Sequence, residues 1–146
     1  MYGFDKVENF SYFRVRPSAG EQMRLDDEDF DAAVRDAIDS LPEDFKKHLD
    51  NVIIQVQPQP DKKMLRDLKL RRRDVLLGLY RGLPLTEKSV LANNSMPEII
   101  YIFKDNIESI CPTRRRIVQQ VRKTILHEIG HHFGMDEDDL DRLGYA

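Results

Sequence analysis

Residues 124–137 read TILHEIGHHFGMDE and contain the pattern His-Glu-x-x-His. Positions four apart on an α-helix lie on one face with Cβ atoms about 5–6 Å apart, so His127 and His131 can bind one metal ion together. Glu128 directly follows the first histidine and can face a water on that ion without being a ligand. Two imidazoles and a carboxylate in this arrangement are what a metal-assisted hydrolase needs.

The residues around this pattern predict the helix that it requires. Apolar side chains recur every four residues, as is typical of an amphipathic helix, at Ile117, Val121, Ile125, Ile129 and Phe133. Each histidine of the pair lies two residues from a member of this stripe, about 200° around the helix axis. We therefore expect the stripe to face the core and the histidine pair to face a cleft.

Both ends of this helix also have sequence signals. Thr113 is a suitable N-cap, and Gly134 is a suitable stop because glycine enters the left-handed conformation at little cost. A turn at Gly134 would bring the acidic residues at 136–139 back toward the metal. The alternative interpretation is a surface helix whose polar face carries two histidines without binding a metal.

The pattern continues to Glu137 and resembles the zincin signature, in which a third metal ligand follows the glycine by three residues. The chain is still more similar to the small bacterial family of minimal zincin-like metallopeptidases. This second resemblance rests on LGLYRGLPLT at residues 77–86 and on the segment from His127 to the C-terminal LDRLGYA at 140–146. It extends over roughly residues 26–146.

The family resemblance implies a compact α/β (α+β) zincin-like domain in which a long active-site helix packs against a short mixed sheet. It also implies a Zn²⁺ ion bound by His127, His131 and a carboxylate after the glycine. The family has Asp at that third position, whereas this chain has Glu137 with Asp136 and Asp138 on either side. Glu137 is the first choice because it fills the family position, and the two aspartates remain alternatives.

The expected reaction is hydrolysis of a peptide bond by a metal-activated water, with Glu128 as the general base. A peptide or protein would be the substrate. The oxyanion also needs a partner, and the candidates are Tyr145, favoured for its place beyond the metal loop, and Tyr80. Either tyrosine could instead serve only in packing. Since few residues follow Glu137, we expect a shallow, open cleft and weak peptidase activity.

Two other classes of function compete with a peptidase. A zincin-fold protein can bind a metal or a partner without turnover, although a purely structural site has no need of Glu128. The basic residues at 62–73 could instead contact nucleic-acid phosphates, but no aromatic side chains are interleaved for base stacking. We interpret that run as a solvated loop or short helix, which disfavours a nucleic-acid partner.

Composition favours a single domain in a reducing compartment. The chain has 146 residues, a net charge of −3 at pH 7 and a single cysteine, Cys111, so no internal disulfide can form. No signal peptide or membrane-spanning run is evident in the sequence. We expect a cytoplasmic protein with no membrane partner.

The chain before the first strand divides into an arm and two helices. Residues 1–25 should form an extended N-terminal arm, packed on the domain at 26–146 or on a neighbour, or only partly ordered. Helices are predicted at 26–41 and 42–49, and the acidic residues at 26–29 should cap the first of them.

Three strands should support the active-site helix, in a sheet of three or four. They are predicted at 52–57, 75–81 and 98–104, from β-branched and apolar runs bounded by turn residues. By analogy with other zincins, we expect 98–104 to be the edge strand that binds an extended peptide by strand addition.

Overall fold

The computed structural model describes residues 2–7, 10–15, 23–68, 75–82, 98–132, 134–135 and 137–142. The strands are β1 (Tyr2–Val7), β2 (Phe10–Val15), β3 (Val52–Gln57), β4 (Val75–Arg81) and β5 (Glu98–Phe103). The α-helices are α1 (Asp27–Asp39), α2 (Glu43–Lys46), α3 (Lys62–Leu68), α4 (Lys104–Ile110), α5 (Arg114–His132) and α6 (Glu137–Arg142). The predicted mixed α/β class, the two N-terminal helices and the long helix that contains His-Glu-x-x-His are confirmed.

The five strands of the described residues form one mixed sheet in the order β1-β2-β4-β5-β3. β3 and β5 are parallel, and the other neighbouring pairs are antiparallel. β5 lies between β4 and β3, so the prediction that residues 98–104 form the edge strand is wrong. The reason is visible in its burial, since nearly every residue of β5 is buried, as is typical of an inner strand covered on both faces.

The sheet is larger than the three or four strands expected because the N-terminal residues contribute a hairpin. β1 and β2 pair with each other, and β2 continues the sheet by pairing with β4. A β-bulge interrupts the pairing of β2 with β4, because Leu77 of β4 is an extra residue that has no partner on β2. Composition alone predicted that these residues are extended, but not that they belong to the sheet.

Apolar side chains cover both faces of the sheet. On one face, Ile100 and Ile102 of β5 pack in a core that includes the predicted stripe of α5, from Ile117 to Ile129. On the other face, Leu68 at the end of α3 belongs to a smaller buried cluster, whose sheet members are Leu76, Leu79, Tyr101 and Phe103. The basic run therefore begins as a short helix that covers this second face. None of the helices that the structure describes is long and apolar enough to cross a membrane.

Helix α1 is capped and buried as its sequence predicts. The Asp29 N–H donates to Asp26 Oδ1 at 2.8 Å, and the acidic first turn lies at the positive end of the helix dipole. Phe30, Ala33 and Ala37 have no exposed surface, and α1 packs against α5. The acidic run at 26–29 is thus a capping feature.

Helix α5 begins and ends where the sequence predicts. The Arg116 N–H donates to Thr113 Oγ1 at 3.1 Å, which makes Thr113 the N-cap. After the last turn, Gly134 has a φ of 81°, and the Met135 N–H donates to the Gly130 carbonyl oxygen at 2.8 Å. This is a Schellman-type stop, in which a left-handed residue turns the chain back across the end of the helix.

The contact that fixes α5 on the sheet lies at Gly78 of β4. A Cβ atom at this position would overlap the Thr124 Cγ2 atom and lie 3.2 Å from the Tyr101 carbonyl oxygen. The bulge at Leu77 contributes, because it allows two consecutive residues, Leu77 and Gly78, to face the helix side. Only glycine lets the backbone of β4 approach the helix this closely.

Replacing Gly78 by alanine should destabilise the fold, because the new methyl group would occupy the space of the Thr124 side chain. We expect the free energy of unfolding, measured in urea, to fall by about 1–3 kcal/mol, the usual cost of overpacking a core.

Thr124→Ser gives the matched test of this contact. It removes Cγ2 but retains the hydroxyl that donates to the Gln120 carbonyl oxygen at 2.8 Å. In this background Gly78→Ala should lose much less stability than in the wild-type chain. Equal losses in both backgrounds would contradict the proposed overlap.

Candidate active site

His127 and Glu128 lie in the second half of α5, where the helix packs against the sheet. His127 is 2% exposed and Glu128 is fully buried. The Nε2 atom of His127 and the Oε1 atom of Glu128 are both enclosed by protein. The sequence predicted an open cleft at this end of the helix, and the enclosure of both side chains differs from that expectation. The difference arises because α5 lies along strands β2, β4 and β5 rather than at the rim of the sheet.

Tyr80 of β4 interacts electrostatically with Glu128. Burial, and in second place the negative charge of Glu128, raise the pKa of Tyr80 well above its ordinary range. The hydroxyl therefore stays protonated and can donate a hydrogen bond at any pH at which a peptidase works. Because the charge of Glu128 acts on this hydroxyl, the two buried side chains are near each other in the layer between helix and sheet.

Gly82, directly after β4, makes room for Tyr80. A Cβ atom on Gly82 would overlap the Tyr80 ring and hydroxyl oxygen. The Tyr80 side chain therefore extends along its own strand toward the C-terminal end of β4. Gly78 and Gly82 thus have different roles in LGLYRG, since the first admits the helix and the second admits the tyrosine.

The structure describes the remaining predicted site residues only in part. His131 lies one turn after His127 in α5, and Glu137 is the first residue of α6, but their side chains fall outside the described part of the structure. Tyr145 and Asp136 lie outside the described residues altogether. α6 packs against α5, so the backbone returns toward the helix after Gly134, as the predicted turn requires.

The acidic residues of α6 that are described point to the surface. Asp138 is exposed, and Asp139 pairs with Arg142 on the same helix. Among the side chains that the structure describes, no three His, Cys, Asp or Glu residues converge as a metal site would require. The ligand set His127, His131 and Glu137 therefore stays a prediction.

The chemical types of the predicted ligands nevertheless suit a zinc ion. Imidazole nitrogen and carboxylate oxygen are usual zinc ligands, and a histidine four residues before a second one on the same helix has the spacing for a shared ion. His127 and Glu128 are enclosed between an apolar helix face and an apolar sheet, where polar groups must be compensated by hydrogen bonds or a counter-charge. A cation at this place would supply part of that compensation.

Two buried carboxylates were not singled out by sequence reasoning. Glu108 of α4 accepts a hydrogen bond from the Leu25 N–H and lies 3.0 Å from Lys104 Nζ. These two partners compensate the buried carboxylate and give Glu108 a structural role. Glu98 is 7% exposed and begins β5, one residue beyond the pair Arg81–Ile99 and so beside Gly82. Its only sequence signal is an acidic residue at the start of an apolar strand.

Comparison with known proteins gives one family. The profile of the zincin-like metallopeptidases matches residues 49–145, which is more than half of the chain. The match includes β3, β4, β5 and the helix with His127 and Glu128, and it leaves out β1, β2 and α1. No curated protein sequence matches the chain. Zincin-like metallopeptidases are hydrolases of peptide bonds and generally use zinc. The chain belongs to the zincin-like metallopeptidase family.

Proposed function

We propose that this protein is a zinc-dependent peptidase in which Glu128 is the general base and Tyr80 stabilises the oxyanion. The observation that carries the proposal is the enclosed pair formed by Glu128 on α5 and Tyr80 on β4, next to the first histidine of His-Glu-x-x-His. Glu128 offers a carboxylate that can accept a proton, and Tyr80 offers a hydroxyl that stays protonated and can donate a hydrogen bond. A peptide or protein is the substrate.

Glu128 takes a proton from the attacking water and later delivers a proton to the leaving amine nitrogen. Its complete burial keeps bulk solvent away, so the attraction between the carboxylate and a positively charged partner is stronger than it would be at the surface. Because Glu128 lies on a helix that packs against the sheet and α1, its carboxylate is held in a more fixed orientation than it would be on an exposed loop.

Tyr80 has the role for which the sequence favoured Tyr145. Its hydroxyl is kept protonated by burial and by Glu128, and a donor of this kind stabilises the negative charge that develops on the carbonyl oxygen. Tyr145 stays a second candidate, as its position lies outside the described residues.

Zinc would be held by His127, His131 and Glu137, with Asp136 or Asp138 as the alternatives to Glu137. When bound, the ion would polarise the scissile carbonyl and make a water molecule more acidic. Backbone geometry supports the assignment of Glu137, because Gly134 turns the chain and α6 packs back on α5.

A zincin-fold protein that binds metal or a partner without turnover is the second candidate. The burial of His127 and Glu128 favours it, because a substrate needs access to both groups. The two candidates differ in whether a peptide can reach Glu128.

Glu128→Gln should bind zinc as the wild type does and lose peptide cleavage. Glutamine has the same shape but cannot take the proton, and loss of a general base typically lowers kcat about 10²–10⁴-fold. Zinc content is measured by atomic emission and cleavage with a peptide library. Zinc binding with no cleavage, both by the wild type and by a variant whose site is open to peptide, would favour the second candidate.

Tyr80→Phe should retain the fold and lower kcat by about 10²-fold or more, as removal of one oxyanion donor does, with a smaller change in KM. Tyr101→Phe is the matched control. Tyr101 is equally buried, at 6%, but it belongs to the cluster on the far face of the sheet. Equal activity of the two variants would exclude Tyr80 from the reaction.

Loss of a residue that only hydrogen-bonds a metal ligand typically weakens metal binding about 10–100-fold. As a ligand itself, Glu137 should matter more, so Glu137→Gln should weaken zinc binding beyond this range. Asp136→Asn and Asp138→Asn are the controls, measured by competition with a chromogenic chelator. If one of the aspartate variants has the larger effect, that aspartate and not Glu137 is the third ligand.

A further inference from the structure

Strand β4 is where the sheet lies closest against the stretch of α5 just before Glu128, at Gly78 and Thr124. Among the described residues of the segment that matches the family, the sheet consists of β4, β5 and β3, with β4 and β3 at its two edges. Gly78 of β4 touches Thr124 of α5, and Tyr80, two residues further along β4, is buried in the same core as α5. β3 lies two strands away from β4, on the far side of β5.

In this chain the β4 edge is covered by the chain's own β2. The register pairs Ser11 with Tyr80 and Phe13 with Gly78, so β2 runs antiparallel along the part of β4 that faces the active-site helix. β2 also packs against α5. It therefore lies beside both elements that position the candidate catalytic groups.

An extended peptide that adds to the sheet next to Glu128 would need the same backbone groups of β4. Strand addition uses the unpaired N–H and C=O groups of an edge, and each such group binds one partner strand at a time. β2 and a substrate are consequently mutually exclusive on β4. The burial of His127 and Glu128 in the presence of β2 agrees with a site that is closed to substrate.

We infer that the hairpin β1–β2 is an autoinhibitory cover, which occupies the peptide-binding edge of β4 and must leave before a substrate can bind. This inference rests on the proposed function. It deepens that function by stating how access of a substrate to the site is regulated.

The connection to the domain makes such a cover effective and releasable. Only residues 16–22 separate β2 from the first described residue of the domain, and a short tether gives an effective concentration on the order of millimolar. A substrate at micromolar concentration competes poorly with it. A two-stranded hairpin is only marginally stable by itself, and β1–β2 lies outside the segment that matches the family, so its release leaves the order β4-β5-β3 of that segment's described strands unchanged.

Opening the cover in the full chain is the first test. Successive residues of a strand direct their backbone groups alternately to its two neighbours, so the double variant Ser11→Pro/Tyr12→Pro removes at least one N–H that bonds β4. Ser11→Ala/Tyr12→Ala removes the same side chains and keeps both N–H groups. We expect kcat/KM of the proline variant to exceed that of the alanine control by at least about tenfold. The reason is that kcat/KM is proportional to the fraction of molecules with an open β4 edge, and this fraction is larger in the proline variant.

Locking the cover is the second test, and it leaves the native sheet intact. Phe10 and Arg81 are opposite each other in the register, so Phe10→Cys/Arg81→Cys can form a disulfide across β2 and β4. The native Cys111 is buried, and burial raises its pKa to about 11, so it does not compete for oxidation. Oxidation should abolish cleavage and reduction should restore it. Full activity of the oxidised chain would overturn the inference.

A binding measurement decides the matter even if no chain cleaves a peptide. A fluorescent peptide of residues 8–17 is titrated against Glu128→Gln chains that carry either the proline pair or the alanine pair, and its anisotropy is followed. We expect at least about tenfold tighter binding to the proline chain, because a larger fraction of its molecules has the β4 edge open. Equal affinity for both chains would refute the cover.

The outcomes separate this inference from the proposed function. Cleavage by both chains at the same rate, with equal peptide binding, overturns the cover and leaves the peptidase standing. Peptide binding to the proline chain alone, with no cleavage by any chain that contains zinc, supports the cover and refutes the peptidase.

Discussion

The close approach of helix α5 to strand β4 is the constraint on which the rest of the structure depends. Gly78 has no side chain, and Thr124 fills the space that one would take. Once the helix lies this near the strand, the next residue on that side of β4, Tyr80, comes within electrostatic range of Glu128 on the next turn of α5. A contact with no chemistry of its own therefore sets the distance between the two groups that we assign to the reaction.

The same strand serves two further purposes. Gly82 lets the Tyr80 side chain lie along the strand, and the edge of β4 is available for a partner strand. In this chain the partner is β2, which the family match does not include. If the family segment is the catalytic unit, the N-terminal hairpin is an addition that controls it. Enclosure of His127 and Glu128, which argues against turnover when considered alone, then describes a closed state of a peptidase.

Local signals in the sequence were enough to predict the elements that carry the site. The stripe from Ile117 to Ile129, the Thr113 cap and the Gly134 stop each act over a few residues, and the structure has α5 where they place it. The acidic cap of α1 was predictable for the same reason.

Sheet order was not predictable in this way, because it depends on pairing between residues far apart in the chain. The run at 98–104 has the composition of a strand in any position, and only the pairing of β5 with both β3 and β4 shows that it is internal. The proposal of Tyr80 as the oxyanion partner likewise required knowing which strand touches the helix. The cover at β4 required knowing that residues 10–15 pair with residues 75–81.

X-ray absorption spectroscopy at the zinc edge tests the central claim most directly, since it reports the atoms around the ion without requiring turnover. For the zinc-loaded wild-type chain we predict a four-coordinate site with two imidazole nitrogens at about 2.0–2.1 Å and oxygen as the remaining ligands. Sulfur in the coordination shell, or a shell of oxygen alone with no imidazole scattering, would contradict a zinc site built on His127 and His131.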